Sequence, residues 1–508
     1  MNSYGDITSG YGFFDLPNPK IPTDPRGLVV LVEMAYVIVS SSTTGVEYFS
    51  NTGYLTSASD SIEPNRYYQN LLTGDPLISK GFNEPLTIGN LKFKNNGELD
   101  KYMTSRYADG QTITLSIGQR DFTRSQFVQV FTGLVKTLHF SGDELTVVIS
   151  DNKELLNMDV QPILYAETTT NPNAGKPVPL LFGECFNVEP LKIDVYTYEY
   201  HWGSVPSGAI NMRDTGAAFT YSITPNGYSG AFDVSQDPKG TFTGDLKGYV
   251  FGSTYDAKLT TVFKDIATYV YAGASFDSAS FAYFEAVSTR NPTVGIYLTE
   301  KTNAVQLLDE LMACVRGTWF FNEVGDIQIA QLDGYVLDGT ATTNTVISSY
   351  HILSISLETS DQYPVCYEAK MGCKKNWTKQ DPSTLVDISL TAADKIKFKS
   401  DYQIIKTYKL ASVKTAYPHA ISKTIDLSYL TTGSQVLIEV TNRVALQKKP
   451  RFLLKVKCTG YQQTTVTGLL KLGELITVNS SRYGSKKGLI TKISHYLASG
   501  TYDIELLV

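Results

Sequence analysis

The sequence predicts a mainly β protein with one small α+β unit. Tyrosine, phenylalanine and tryptophan make up 12% of the 508 residues, and 39 glycines and 20 prolines supply frequent turns. Aromatic residues favour strands, whereas Gly and Pro favour the turns between them. Short runs in which apolar and polar residues alternate recur along most of the chain, as expected for strands with one buried face. At this length the chain is expected to form roughly three to four compact units.

The first 200 residues carry the clearest strand pattern. In residues 112–117 Ile and Leu alternate with hydroxyl side chains, and residues 145–149 repeat the alternation. Successive side chains of a strand point to opposite faces, so each run has one apolar face. We therefore predict an N-terminal β domain over residues 1–200. Residues 201–245, rich in Gly, Ser and Thr, predict a β-hairpin insertion with an exposed tip near residues 225–227.

The central part of the chain combines helical periodicity with a hairpin pattern. Apolar residues in the segments 259–270 and 305–315 recur every three or four positions, and Gly317 ends the second segment. This spacing is typical of amphipathic helices, and glycine commonly follows a helix. Apolar runs on both sides of residues 322–325 predict a hairpin. Residues 246–345 are thus predicted to form a central α+β domain.

The strand pattern returns in the last third of the chain. One helix is predicted where Val436, Val440 and Val444 recur at every fourth position before Pro450. After it, a meander of four strands is predicted at residues 451–459, 473–479, 488–496 and 501–507. Residues 346–508 are therefore predicted to form a C-terminal β domain.

Charge and hydropathy exclude several classes of protein. The chain has 44 Lys and Arg against 50 Asp and Glu, a formal charge of -6, and only 19% of its residues are charged. A polycationic nucleic-acid binder and a disordered tail protein are both disfavoured by this balance. The most apolar segment, residues 28–39, is interrupted by Glu33 and is shorter than the roughly 20 residues that span a bilayer. We predict no stable membrane insertion.

No motif of catalysis or cofactor binding is found in the sequence. The five histidines are scattered, and no pair of them has the spacing of a helical zinc site. No nucleophile elbow, phosphate-binding loop or dinucleotide fingerprint occurs either. We predict that the protein is not an enzyme and has no catalytic, cofactor-binding or metal-binding residues. Two carboxylates brought together by the fold could still form a glycosidase site, and that alternative stays open.

Two local patterns have more than one interpretation. The spacing between Cys366 and Cys373 is wider than in common zinc motifs, so ordinary buried or edge thiols are favoured, while metal binding stays open. Tyr196, Tyr198 and Tyr200 are predicted to share one face of a strand. Such a face could stack on sugars or bases, but it is more typical of a domain or subunit interface.

Several short motifs without catalytic residues follow one another in a definite order. The residues that carry them are Asn95, Gly97, Leu99 and Asp100, then Gly133, then Gly175, Lys176, Pro177, Pro179, Gly183, Asn187 and Pro190, and finally Gly473 and Glu474. Residues 213–216 and 242–248 belong to the same succession more loosely. In this order the motifs resemble those of the tail-tip, or baseplate hub, proteins of long-tailed bacteriophages. The resemblance covers nearly the whole chain.

This resemblance implies a structural protein of the virion. Two β-barrel-like, tube-type domains and a central α+β domain would build a homotrimeric hub ring that closes the distal end of the tail tube and adapts sixfold to threefold symmetry. The implied partners are the distal tail protein ring, the tape-measure protein and a central fibre or receptor-binding protein, with genomic DNA only in transit. The implied location is the tail tip of a virion assembled in the host cytoplasm. The motif residues would have structural roles.

Two alternative functions stay open at this stage. The tyrosines and the β content are also compatible with a carbohydrate-binding or depolymerising adhesin. A distal tail adaptor or tube-type protein is the other alternative, although such proteins are usually shorter and lack the central helices.

A low-charge, acidic chain suits passage of DNA, because each Lys or Arg contact with phosphate adds affinity that would hold the DNA.

Overall fold

The computed structural model describes residues 27–82, 84–167, 172–206, 210–225, 229–250, 255–286, 290–339, 343, 345–386, 390–459 and 470–508. The predicted mainly β class with a small helical content is confirmed. Residues 226–227 of the predicted exposed hairpin tip lie outside the described residues.

The N-terminal part folds into one large sheet. The elements of this part are β1 (Leu28–Ile38), β2 (Thr44–Ser50), β3 (Tyr54–Leu55), β4 (Tyr67–Asn70), β5 (Leu72–Thr73), β6 (Leu77–Gly81), β7 (Glu84–Ile88), β8 (Leu91–Lys94), α1 (Lys101–Thr104), β9 (Arg106–Tyr107), β10 (Thr112–Gln119), β11 (Val128–Ser141) and β12 (Glu144–Ser150). Strands β6 and β7 form a hairpin that is not part of this sheet. The strand order is β3-β4-β2-β1-β10-β11-β12-β8-β5, and β9 pairs with β1.

The predicted alternation explains why this sheet forms. Ile113, Leu115 and Ile117 of β10 are fully buried in the core, whereas Thr112 on the other face is exposed. Burying each such side chain contributes about 1.5–3 kcal/mol relative to leaving it in water. A shift of register by one residue would turn the whole apolar set to solvent, so the alternation also fixes the pairing.

The next part of the chain forms two smaller sheets with a shared aromatic core. Its strands are β13 (Leu180–Val188), β14 (Leu191–Lys192), β15 (Thr197–Ser204), β16 (Ile210–Asp214), β17 (Ala217–Ala218), β18 (Ile223–Pro225), β19 (Ser229–Val234) and β20 (Phe242–Lys247). The strand orders are β17-β16-β20-β13-β21 and β14-β15-β19-β18, where β21 is Gly295–Leu298. Strand β13 therefore links the hairpins to the central part of the protein.

The central part contains both predicted helices and the predicted hairpin. Its elements are α2 (Leu259–Val270), α3 (Ser278–Glu285), β21, α4 (Ala304–Ala313), β22 (Gly317–Phe321), β23 (Ile327–Gln331) and α5 (Gly334–Asp338). Asn303 caps α4, because its side-chain oxygen accepts from the backbone N–H of Gln306 at 3.2 Å. Strands β22 and β23 pair in antiparallel register, which confirms the hairpin.

The C-terminal part combines a large sheet with a small one. Its elements are β24 (Thr345–Ile347), β25 (Ile352–Thr359), β26 (Cys366–Lys375), α6 (Ala392–Lys399), β27 (Tyr402–Lys409), α7 (Ala411–Ala416), β28 (Ile421–Ile425), α8 (Gly433–Gln447), β29 (Phe452–Thr459), β30 (Leu475–Ser480), β31 (Gly484–Tyr496) and β32 (Thr501–Leu507). The large sheet has the order β24-β30-β31-β32-β29-β25, and the small one β27-β26-β28.

The four C-terminal strands and helix α8 confirm the prediction, with two corrections. Strand β31 begins four positions earlier than predicted, because Gly484 adopts a left-handed backbone (φ 68°) and pairs with Ser480. Helices α6 and α7 were not predicted. Helix α6 buries no side chain, so it lacks the apolar periodicity on which the prediction rested.

A hairpin connects the two large sheets. Strands β6 and β7 follow the N-terminal strand β5, yet β6 pairs with β31 of the C-terminal sheet, with Ser494 opposite Ser79. The chain then returns to the N-terminal sheet through β8. Both large sheets have free ends in the described residues, so neither is closed into a barrel. Their outermost strands on the sides away from the shared hairpin are β3 and β25.

Candidate functional site

The N-terminal motif forms a turn that is closed by its own side chains. The Asn95 side-chain oxygen accepts from the backbone N–H of Gly97 at 3.0 Å and of Leu99 at 3.2 Å, and its amide donates to Asp100 at 2.7 Å. Gly97 supplies a left-handed backbone (φ 97°), which glycine adopts without strain. The turn points Leu99 into the core, where it is fully buried.

Two motif glycines lie where no side chain fits. A Cβ added to Gly133 on β11 would lie 2.4 Å from the carbonyl oxygen of Ser150. Gly183 on β13 has φ 68°, and a Cβ there would lie 2.0 Å from the carbonyl oxygen of Val294. These glycines let backbones of neighbouring segments approach closely.

The segment Gly175 to Pro179 is one side of a hairpin. The N–H of Tyr165 donates to the carbonyl of Lys176 at 3.0 Å, and the N–H of Val178 donates to the carbonyl of Ile163 at 3.1 Å. The backbone groups of Pro177 and Pro179 therefore face the other side, where the Pro179 carbonyl accepts from Trp202 at 2.9 Å. Proline has no N–H, so the two prolines limit pairing with β15 on that side.

The Lys176 and Gly175 positions complete this hairpin. Gly175 has φ 74° in the turn, and its N–H donates to the carbonyl of Tyr165 at 3.0 Å. The Lys176 ammonium donates to the side chain of Asn173 at 3.3 Å. Both residues lie in the hairpin that leads into β13.

Asn187 is the centre of a buried polar junction. It is fully buried and adopts a left-handed backbone (φ 52°), which is uncommon for a residue with a side chain. Its side-chain amide donates to the carbonyl of Thr378, and its side-chain oxygen accepts from Gln380 at 2.9 Å. Its backbone N–H donates to Asp245 at 3.1 Å. The junction thus joins β13 and β20 to the segment that follows β26.

An ion pair supports this junction. Arg213 on β16 donates to Asp245 on β20 through two nitrogens, at 3.0 and 2.5 Å. Both residues lie in the looser motif segments 213–216 and 242–248, so the sequence carried a signal for them. Gln380, which also donates to Thr243 at 2.7 Å, was missed, because no local pattern marks a partner 193 positions from Asn187.

The remaining motif residues lie apart from this junction. Pro190 is buried just after β13. Gly473 has φ 76°, and its N–H donates to the carbonyl of Ile490 at 2.9 Å. The Glu474 carboxylate accepts from Thr345 at 2.8 Å and so connects β24 to the C-terminal sheet. The motif residues therefore form separate structural junctions in three parts of the fold rather than one site.

The residues with reactive side chains are mostly buried. All five cysteines are free and buried, including Cys366 and Cys373 on β26. No group of three or more His, Cys, Asp or Glu side chains with metal-binding geometry occurs in the described residues. Burial lowers the pKa of both His201 and His495 to about 3, so these imidazoles are neutral at ordinary pH. Within the described residues no helix is long and apolar enough to cross a membrane.

The three tyrosines do not form an exposed stacking face. Tyr198 and Tyr200 on β15 are buried and pack against Phe232, whereas Tyr196 precedes the strand and is half exposed. The period of two did place Tyr198 and Tyr200 on one face, but that face is the core of the hairpin sheets. The interpretation that these two rings stack on sugars or bases is therefore wrong.

The outer edges of the two large sheets carry exposed apolar side chains. Leu55 on β3 is 62% exposed, and Ile62 and Tyr67 near the same edge are exposed as well. At the other end Leu353 on β25 is 57% exposed, and Tyr350 just before it is the most exposed large apolar residue described. Proteins usually blunt free sheet edges with charges or prolines, because such edges pair readily with other strands.

Comparisons with known proteins find similar solved structures but no matching sequence. No protein-family model and no curated protein sequence matches the chain. It is similar to a solved tail protein from Neisseria meningitidis MC58 (TM-score 0.45, 10% identity, 95% of this chain and 97% of that one). It is also similar to the 43 kDa tail protein of prophage MuSo2 from Shewanella oneidensis (TM-score 0.43, 10% identity, 87% and 95%).

A third similar structure is a component of the p2 virion baseplate in its activated conformation (TM-score 0.26, 9% identity, 94% of this chain and 98% of that one). These three solved structures are described as tail or baseplate proteins.

Proposed function

We propose that the protein is a structural, non-enzymatic component of a phage tail tip, and that it forms the hub ring there. The observation that carries this proposal is the pair of linked open sheets whose outer strands, β3 and β25, have a free edge among the described residues and exposed apolar side chains. Two free edges on one chain would allow head-to-tail association if they pair with each other, and such association closes into a ring when the rotation between copies permits. The order of the sequence motifs independently supports a tail hub.

The proposed ring is a homotrimer with two sheet units per chain, which gives six units around the axis. Such a ring would match the sixfold tube on one side and threefold partners on the other. We propose the distal tail ring, the tape-measure protein and a central fibre or receptor-binding protein as partners. Electron microscopy of the phage particle, with this chain located in the map, tests the proposal. A position outside the tail tip would contradict it.

A cysteine pair tests whether the two edges meet. In a chain with Leu55→Cys and Leu353→Cys, mild oxidation is expected to link neighbouring copies into covalent trimers on a non-reducing gel. The five native cysteines are buried and do not compete. Leu55→Cys combined with Val324→Cys is the matched control, because Val324 is 60% exposed but lies in the β22–β23 turn. Equal linking in both variants, or none in either, would refute edge-to-edge assembly.

We further propose that the polar face of the C-terminal sheet lines the path of DNA. A groove of about 580 Å³ runs across it, lined by serines, lysines and acids of β25, β29, β31 and β32. Lys455 pairs with Glu358 at 2.6 Å, and Lys492 pairs with Glu84 at 2.7 Å. Lys457 stands opposite Asp503 in register. Each lysine thus has an acidic neighbour, which weakens any hold on phosphate.

Removing the acids is expected to create DNA binding. The variant Glu84→Gln, Glu358→Gln, Asp503→Asn and Glu505→Gln leaves three lysines uncompensated, so duplex DNA should bind with a slope of log affinity against log salt of about -3. The wild-type chain should show no measurable binding in fluorescence anisotropy.

A control variant separates the local effect from net charge. It carries Glu98→Gln, Asp109→Asn, Asp121→Asn and Glu167→Gln, four exposed acids without an ion pair in the described part of the chain. The change in net charge is the same in both variants. If the control binds DNA as well as the first variant, the groove is not the responsible surface.

An aromatic pocket favours the adhesin as a second candidate. The pocket, about 450 Å³, is lined by Trp377, Tyr297 and Tyr429 together with Glu189 and Glu300. Aromatic rings beside carboxylates suit the apolar faces and hydroxyls of sugars. Quenching of tryptophan fluorescence by soluble host polysaccharide that is lost in Trp377→Phe, but retained in Trp202→Phe, would support this function. Release of free sugar would show a depolymerase.

A further inference from the structure

A cavity opens where the β6–β7 hairpin, the central part of the protein and helix α8 meet. It has a volume of about 480 Å³ and is lined by Phe82 and Glu84 from the hairpin, Arg316 after α4, Lys423 on β28, and Arg443 and Gln447 on α8. Apart from Glu84, whose pair with Lys492 belongs to the groove proposed for DNA, neither the sequence motifs nor the proposed hub function uses these residues.

Two arginines in this cavity share one carboxylate. The Arg316 side chain is only 6% exposed, and its Nη1 donates to Glu439 Oε2. The Arg443 Nε donates to Glu439 Oε1 at 2.8 Å, and its Nη2 donates to the carbonyl of Ala313 at 2.7 Å. In the part of the chain that is described, Nη2 of Arg316 and Nη1 of Arg443 donate to no acceptor. Both arginines line the cavity.

The charges around the cavity do not balance. Arg316 and Arg443 give two positive charges against the single negative charge of Glu439, which is 5% exposed. Lys423 adds an exposed positive charge at the wall. The acid in the lining itself, Glu84, is paired with Lys492 at 2.7 Å. Removing a charge from water is expensive unless a partner of opposite charge neutralises it, so the site favours an anion.

Backbone strain at Arg316 accompanies this arrangement. Its φ of 57° lies in the left-handed region, and it stands just after α4, where glycine or asparagine is usual. A residue with a Cβ adopts this conformation only with strain. The surrounding structure holds the guanidinium in the cavity despite this strain, which is the kind of outlier that marks functional positions.

We propose that this cavity binds an oxyanion, a phosphate or carboxylate group. Arg316 and Arg443 would donate to its oxygens through the nitrogens that lack a protein acceptor, since guanidinium groups match oxyanions geometrically. The side-chain amide of Gln447, which lines the cavity, would add a neutral donor. Lys423 would neutralise charge at the entrance.

Calorimetric titration of the full chain at constant ionic strength tests this proposal, with inorganic phosphate and acetate as separate probes. Saturable binding of at least one probe is expected. Arg443→Gln should weaken it about tenfold or more, because a charge-assisted hydrogen bond contributes about 1.5–3 kcal/mol. Lys423→Gln should weaken it about threefold. Lys397→Gln, an exposed lysine on α6 outside the cavity, should leave it unchanged.

The outcomes distinguish the ligand and guard against loss of fold. Binding of phosphate alone would assign a phosphate site, and binding of acetate alone a carboxylate site. Because Arg443 also donates to carbonyls at the end of α4, circular dichroism must show that its variant is folded; Lys423→Gln lacks this risk. No saturable binding of either probe, or wild-type affinity in both cavity variants, would overturn the proposal. A failed hub assignment would leave it unaffected.

Discussion

Replacing Asp338 with asparagine is expected to lower the free energy of unfolding by about 3–5 kcal/mol. Asp338 at the end of α5 accepts from two nitrogens of Arg451, at 2.9 and 3.0 Å, and the Arg451 side chain is completely buried. Lys449 also contacts the carboxylate at 2.9 Å, and Lys448 at 3.4 Å. Without the carboxylate, a buried guanidinium would lose its only charged partner in the described residues.

Thermal and denaturant unfolding of the purified chain measure this effect. Glu358→Gln is the matched control, because Glu358 pairs with Lys455 at 2.6 Å while both side chains are about half exposed. An exposed pair contributes only about 0–1 kcal/mol, since water screens it. Similar losses in the two variants would show that burial of Arg451 does not determine the stability.

The ion pair between Asp338 and Arg451 also makes the stability of the protein depend on pH in the acidic range. Burial alone would raise the pKa of this carboxyl, but hydrogen bonds from Arg451 and Lys449 outweigh burial and lower its pKa to about 2. A depressed carboxyl pKa contributes stability that is present above the ordinary value of about 3.8 and is lost as the pH falls towards 2. Asp338→Asn should remove this part of the acid sensitivity, and Glu358→Gln should retain it.

Local patterns in the sequence predicted the elements but not their long-range partners. The alternation in residues 112–117 and 145–149 identified real strands, because burial of one face is a local property. The pairing of β6 with β31 joins residues more than 400 positions apart, and no local pattern can specify it. Helix α6 did carry a local signal, the capping box of Thr391 and Asp394, although it lacked an apolar stripe.

The residues of the buried junctions likewise divide into those that a local motif indicates and those that only the fold brings into place. The glycines and Asn187 occur in recognisable motifs because each satisfies a requirement of its own backbone. That requirement is a left-handed conformation or the close approach of a neighbouring backbone, and a single residue type in the sequence can indicate it. The partners Gln380 and Asp338 fulfil their roles through side chains from distant segments. The cavity proposed to bind an oxyanion likewise assembles from six separate parts of the chain. Such sites emerge only when the fold brings the segments together.

The second large effect is expected at Gly183. Gly183→Ala should destabilise the protein by about 2–5 kcal/mol, the sum of about 1–2 kcal/mol for a left-handed alanine and about 1–3 kcal/mol for overpacking. The new Cβ would lie 2.0 Å from the carbonyl oxygen of Val294. This oxygen belongs to the backbone, so it cannot relieve the clash by a change of rotamer as a side chain could. The neighbouring strand has the same constraint, because a Cβ on Gly295 would lie 1.9 Å from the carbonyl of Glu184.

Gly484→Ala separates the two contributions. Gly484 has the same φ of 68°, but a Cβ there would meet no atom within 4 Å. This variant should therefore lose only the 1–2 kcal/mol of the left-handed backbone. Denaturant midpoints of both variants measure the difference, which isolates the contact between β13 and β21. Equal losses would mean that the close approach at Gly183 relaxes freely, and that the motif glycine is needed for its backbone conformation alone.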